Sequence, residues 1–183
     1  MASVLIPLAQ GCEELEAVTV IDLMRRAGIE VVTAALSDEP IKASRGTVLV
    51  ADTTLDQALE REYDMVVLPG GLPGADYLNA DARIQQLLQT MAECNKYTAA
   101  ICAAPKVLAT AGLLTGKRAT SFPGVLEKLD LPSTQLESSA VVRDGNVITS
   151  RGPGTAMDFA LDLIALLVGE TKRNEVESAL QRP

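Results

Sequence analysis

The chain has three cysteines, Cys12, Cys94 and Cys102, and no histidine. An odd number of thiols at these separations fits neither a CxxC motif nor a disulfide framework. Without histidine, no Cys-His or Ser-His catalytic arrangement can form within the chain, and no His-based metal site either. A thiol that works here needs another proton partner, and a glutamate held out of water is the natural one.

Cys102 lies in Ala99-Ala100-Ile101-Cys102-Ala103-Ala104-Pro105. An apolar strand runs straight into a helix, with the thiol at the junction and small residues around it. In open α/β sheets ligands gather at the carboxyl ends of strands, so this side chain is expected to face such a crevice. The following helix N-terminus is expected to lower the thiol pKa. The tight turn is analogous to a hydrolase nucleophile elbow. A buried, inert cysteine is the alternative, and spacing alone leaves both readings open.

Two other segments carry polar groups of interest. Leu68-Pro69-Gly70-Gly71 ends a buried strand on two glycines. Their N–H groups can approach a substrate closely and serve as an oxyanion hole, although a plain turn has the same sequence. Gly11-Cys12-Glu13-Glu14-Leu15-Glu16 starts a helix with three carboxylates. Most are expected to be solvated and to favour the helix dipole. Glu16, beside Leu15 and Ala17, is the candidate for burial, a raised pKa and a proton-carrying role. Cys12 and Cys94 read as structural or incidental.

The elements that must position these residues alternate between two patterns. Strands are expected at 3–9, 29–36, 47–50, 63–69 and 98–102, with a hairpin of 137–143 and 146–150 around Asp144-Gly145. Helices are expected at 13–27, 81–96, from Ala103-Ala104-Pro105 to near Gly112, from Gly152-Pro153-Gly154-Thr155 to about 168, and at 172–180. In the first helix, Leu15, Val18, Ile21 and Met24 form an apolar stripe, and Gly28 caps the end. Alternating strand and helix implies a parallel sheet with helices on both faces, in one domain spanning 1–183.

Composition sets the outer bounds. Of the 183 residues, 48% are apolar and only 3% aromatic, so the core must be aliphatic. The net charge of −8 repels phosphate backbones, and no Lys/Arg run opposes it, so no nucleic-acid signal is present. No apolar run reaches the roughly 18 residues of a membrane span. The N-terminus lacks the pattern of a signal peptide, which makes a cytoplasmic location the expectation.

Taken together, the motifs resemble the ThiJ/PfpI superfamily, in the branch of DJ-1 and YajL. The resemblance covers essentially the whole chain. Besides the three segments above, it rests on Met24-Arg25-Arg26-Ala27-Gly28, Ser44-Arg45-Gly46, Tyr63-Asp64-Met65-Val66-Val67-Leu68 and Thr149-Ser150-Arg151-Gly152-Pro153-Gly154-Thr155. It implies a flavodoxin-like three-layer α/β sandwich, of the class I glutamine amidotransferase type, that forms a homodimer and needs no cofactor. Cys102 matches the family's oxidisable cysteine and Glu16 its protonated glutamate. Gly71 and Ala103 match positions whose backbone N–H groups line the anion pocket, and Gly70 is the binding candidate beside them. Arg45 and Arg26 match arginines near the pocket and the dimer interface. Some members carry a histidine within Thr-His-Pro, where this chain has Ser121-Phe122-Pro123.

The implied activity is that of a cofactor-independent glyoxalase or deglycase acting on small reactive aldehydes or glycated groups. The alternative is a redox sensor or redox-regulated chaperone, because an accessible thiolate is also what peroxide oxidises. A thiamin-pathway accessory role is the third and weakest reading.

Overall fold

The computed structural model describes residues 1–182. In chain order the elements are β1 (Ser3–Leu8), α1 (Glu14–Arg26), β2 (Glu30–Ala35), β3 (Ile41–Lys42), β4 (Val48–Leu49), β5 (Thr53–Thr54), α2 (Leu55–Ala58), β6 (Met65–Leu68), α3 (Gly74–Ala80) and α4 (Ala82–Glu93). There follow β7 (Tyr97–Ile101), α5 (Pro105–Thr110), β8 (Arg118–Ala119), β9 (Gln135–Leu136), β10 (Val141–Asp144), β11 (Val147–Ser150), α6 (Ala156–Val168) and α7 (Glu170–Ala179). Seven strands make the central sheet in the order β10-β11-β7-β6-β1-β2-β5. Only the β10–β11 pair is antiparallel.

The sheet is buried on both faces, and its side chains alternate between two cores. Val4, Ile6, Leu8, Met65, Val67, Ala99 and Ile101 point to one side, where Val20 and Leu23 of α1 and Phe159 and Leu163 of α6 cover them. Leu5, Val66, Leu68 and Ala100 point to the other, against Leu78 of α3, Ile84 and Leu88 of α4 and Val107 of α5. This is the α/β sandwich that the alternating pattern implies. Among the described residues, no helix is long and apolar enough to cross a membrane.

The topology fixes where a site can form. From β1 the chain moves first to β2 on one side and later to β6 on the other. Connections diverging from neighbouring strands leave a crevice beyond their carboxyl ends. The segments at that point are Gly11–Glu14 after β1 and Gly70–Gly71 after β6, with Cys102 just past β7, the next strand.

Several local expectations are corrected. The stripe Leu15, Val18, Ile21 and Met24 is not the buried face of α1: Glu16, Ala17, Val20, Leu23 and Met24 are buried, while Leu15 and Val18 are exposed. Both faces of α1 carry apolar residues at helical spacing, so periodicity alone does not choose between them. The hairpin turn is Gly145-Asn146, because Asp144 pairs with Val147 in the ladder. The Asp144 carboxylate accepts the Arg118 N–H at 3.0 Å and fastens β8 beside β10. The first arm of the hairpin, expected over 137–143, is Val141–Asp144, and Gln135–Leu136 upstream pairs with β8. Helix α3, Gly74–Ala80, falls in a stretch to which the sequence reading assigns no element.

Candidate active site

Cys102 sits one residue beyond β7 with φ of +64°, in the left-handed region that side-chain-bearing residues rarely adopt. Two backbone hydrogen bonds hold it there. Its N–H donates to Ser150 O at 3.0 Å, and its carbonyl accepts from Phe122 N–H at 2.8 Å. The thiol is half-buried, whereas Cys12 is fully buried and Cys94 exposed. The backbone N–H groups of Gly71 and Ala103 act on the Cys102 sulfur and pull its pKa down.

Glu16 reaches the same point from α1. Its carboxyl is fully buried, and Oε2 accepts the Gly70 N–H at 2.8 Å. Oε1 has no hydrogen-bond partner. An ionised carboxylate with one oxygen orphaned out of water is a costly state. Burial is accordingly the largest influence on Glu16 and raises it to about 7 from an ordinary 4.5; the Gly70 N–H and the thiol oppose that rise.

The expected lowering of the thiol pKa is not found. Burial, then the charge of Glu16 and its hydrogen bonding, push Cys102 up to about 12, against the pull of the Gly71 and Ala103 N–H groups. The helix that follows has only six residues, which leaves little dipole to counter desolvation. The two groups therefore carry at most one charge near neutrality: the carboxyl ionises before the thiol, and a thiolate forms where the proton rests on Glu16 instead.

Glycine is required on the facing strand end. A Cβ on Gly70 would lie 2.6 Å from Cys102 Cβ and 2.8 Å from Glu16 Oε2. Gly71 has φ of +84°, and a Cβ there would lie 2.4 Å from Glu13 N. These approaches let bare backbone line the thiol.

The structure thus brings Cys102, Glu16, Gly70, Gly71 and Ala103 together. Arg45 lies on the β3–β4 turn, exposed and without an ion pair among the described residues. Its N–H donates to Glu14 Oε1 at 3.0 Å, and Ser44 N–H donates to Cys12 O at 2.8 Å, which docks the turn on the start of α1. Arg26 is not brought to the pocket. It pairs with Asp22 at 2.8 Å at the other end of α1, about 15 Å along the helix from Glu16.

Three positioning contacts escape sequence reasoning: the Ser150 carbonyl, the Phe122 N–H and the Glu14 carboxylate. The first two are backbone groups and leave no mark on residue type. Glu14 receives the N–H groups of Arg45 and Thr47 and the Ser44 hydroxyl; these and its own N–H outweigh a burial penalty and hold it at about 2. A cavity of about 550 Å³ opens elsewhere, lined by Tyr63, Met91, Cys94 and Lys96 at the amino ends of β6 and β7. Cavity size does not locate the chemistry here.

Comparison with known proteins matches residues 2–166 to the DJ-1/PfpI family. The chain belongs to that family. It is 42% identical to "Protein dj-1beta" of Drosophila melanogaster over 97% of its own length and 96% of the relative's. The crystal structure of Drosophila DJ-1beta superposes with a TM-score of 0.94, covering 100% of this chain and 98% of that one at 41% identity. "Protein DJ-1 homolog B" of Arabidopsis thaliana is 44% identical over 96% of this chain, which spans only 40% of that relative. "Glutathione-independent glyoxalase DJR-1.2" of Caenorhabditis elegans is 34% identical, over 96% of this chain and 92% of the relative.

The raised Glu16 pKa makes stability depend on pH. The unfolded chain ionises this group near 4.5, while the folded one holds the proton to about 7. Its contribution is therefore fully present below 4.5 and lost as pH rises through about 7, on the order of 3 kcal/mol. Urea unfolding from pH 4.5 to 8 should show that loss in wild type and not in Glu16→Gln; parallel pH profiles for the two proteins would contradict it.

Proposed function

We propose that the protein is a cysteine-dependent, cofactor-independent glyoxalase or deglycase that converts 2-oxoaldehydes, or their adducts, to 2-hydroxy acids. The observation that carries this reading is a half-buried thiol on a strained turn beside the fully buried Glu16 carboxyl, with the bare Gly70 backbone against both. The name of the nematode relative supports the same chemistry.

The steps follow from the groups available. With the proton on Glu16, the Cys102 thiolate adds to the aldehyde carbon of methylglyoxal and forms a C–S bond. The carbonyl oxygen takes up the charge, and backbone N–H groups stabilise it as it develops. Protonation gives a hemithioacetal. Glu16, now a carboxylate, removes the proton from the sulfur-bearing carbon and returns it to the adjacent carbon. The first carbon is oxidised and the second reduced, so no external oxidant or reductant is needed. The resulting thioester is hydrolysed by water, which releases lactate and regenerates the thiol. On a glycated group, the same attack would be directed at the aldehyde-derived carbon of the adduct.

The family resemblance also implies a homodimer. Leu15 and Val18 on α1 and Val48 and Val50 beside the docked turn are exposed apolar side chains that a second copy would cover. Sedimentation of wild type should give a dimer and that of Val18→Asp a monomer; a monomeric wild type would remove the proposal.

The catalytic reading is tested by lactate formation from methylglyoxal. Wild type should be active, and Cys102→Ser and Glu16→Ala should each lose at least about 100-fold. Turnover surviving in either variant would sink the mechanism. A wild type that makes no lactate would sink the enzymatic reading and leave the redox-sensor alternative, for which the same half-buried thiol is the candidate.

A further inference from the structure

Phe122 stands where two segments meet at Cys102. Its N–H holds the Cys102 carbonyl at 2.8 Å, and Ser150 holds the Cys102 N–H at 3.0 Å. The Phe122 ring reaches from the first segment to the second: a Cβ on Gly152, two residues past Ser150, would lie 3.3 Å from its Cδ2 and 3.9 Å from its Cε2. Gly152 is extended, with φ of 167°, so its backbone does not demand glycine. What glycine supplies there is room for the ring.

The Phe122 backbone is fixed in its turn. The Phe122 carbonyl accepts the Ser121 hydroxyl at 3.0 Å and the Val125 N–H at 3.1 Å. Phe122 is 49% exposed, in a chain with only two phenylalanines. Beside the Glu16 carboxyl, the neighbours Gly70, Gly71 and Ala103 offer backbone and at most a methyl group. Of the residues that hydrogen-bond the Cys102 backbone, Phe122 alone has a large side chain.

We propose that Phe122 is a specificity-determining residue whose ring walls the Cys102 site and favours 2-oxoaldehydes with an apolar, above all aromatic, group beyond the reacting aldehyde. The inference rests on the aldehyde-converting reading above. An apolar substituent laid on the ring removes apolar surface of both partners from water, and an aromatic one adds ring-on-ring contact. Glyoxal, which has no such substituent, gains neither.

The test is kcat/KM for phenylglyoxal, methylglyoxal and glyoxal with wild type, Phe122→Ala and Phe122→Leu. Both variants retain the N–H that holds Cys102. The ratio of phenylglyoxal to glyoxal should fall at least about tenfold in Phe122→Ala, and Phe122→Leu should restore part of the preference. General damage to the fold lowers all three substrates together and leaves the ratio unchanged. A ratio within about twofold of wild type in both variants overturns the proposal while the aldehyde reading stands. Wild type inactive on all three substrates overturns the two together.

Discussion

Two acidic groups set side by side out of water hold at most one negative charge near neutral pH, and the candidate site is built on that constraint. Glu16 is fully buried with one oxygen orphaned, which makes its ionised form costly. Cys102 is pushed up by burial and by the same neighbour. A thiolate can therefore form only with the proton on Glu16, and that arrangement puts nucleophile and acid in register before substrate arrives. One group in each protonation state is what addition to a carbonyl needs.

The rest of the fold keeps the pair in contact. The sheet places the ends of β1, β6 and β7 beside one another, and α1 begins directly over that edge. Gly70 and Gly71 permit an approach that any side chain would block. The strained φ at Cys102 is held by Ser150 on one side and Phe122 on the other. Glu14, two residues before Glu16, fastens the turn that carries Arg45. Backbone groups do most of the positioning, which suits a site whose donors must not titrate.

Much of this was legible in the sequence. Strand–helix alternation identified the parallel sheet, and the missing histidine turned attention from Cys102 to Glu16 as its partner. The Gly-Gly pair and the small residues around Cys102 marked where backbone would come close. The direction of the thiol pKa was not legible. It depends on how deeply the sulfur is buried and on the distance to a carboxylate about eighty-six residues away in sequence. The buried face of α1 was missed because Leu15 and Val18 repeat as helically as Val20 and Leu23. Arg26 shares a family motif, yet helix length alone carries it away from the pocket.

Glu16 keeps its proton well above the ordinary carboxylate range because burial makes its ionised form costly. The direct measurement is the infrared band of a protonated carboxyl group, followed across pH and assigned by its loss in Glu16→Gln. This band should persist beyond pH 6 and fade from about 7 upward. A band that disappears near 4.5, as for a carboxyl in water, would contradict it.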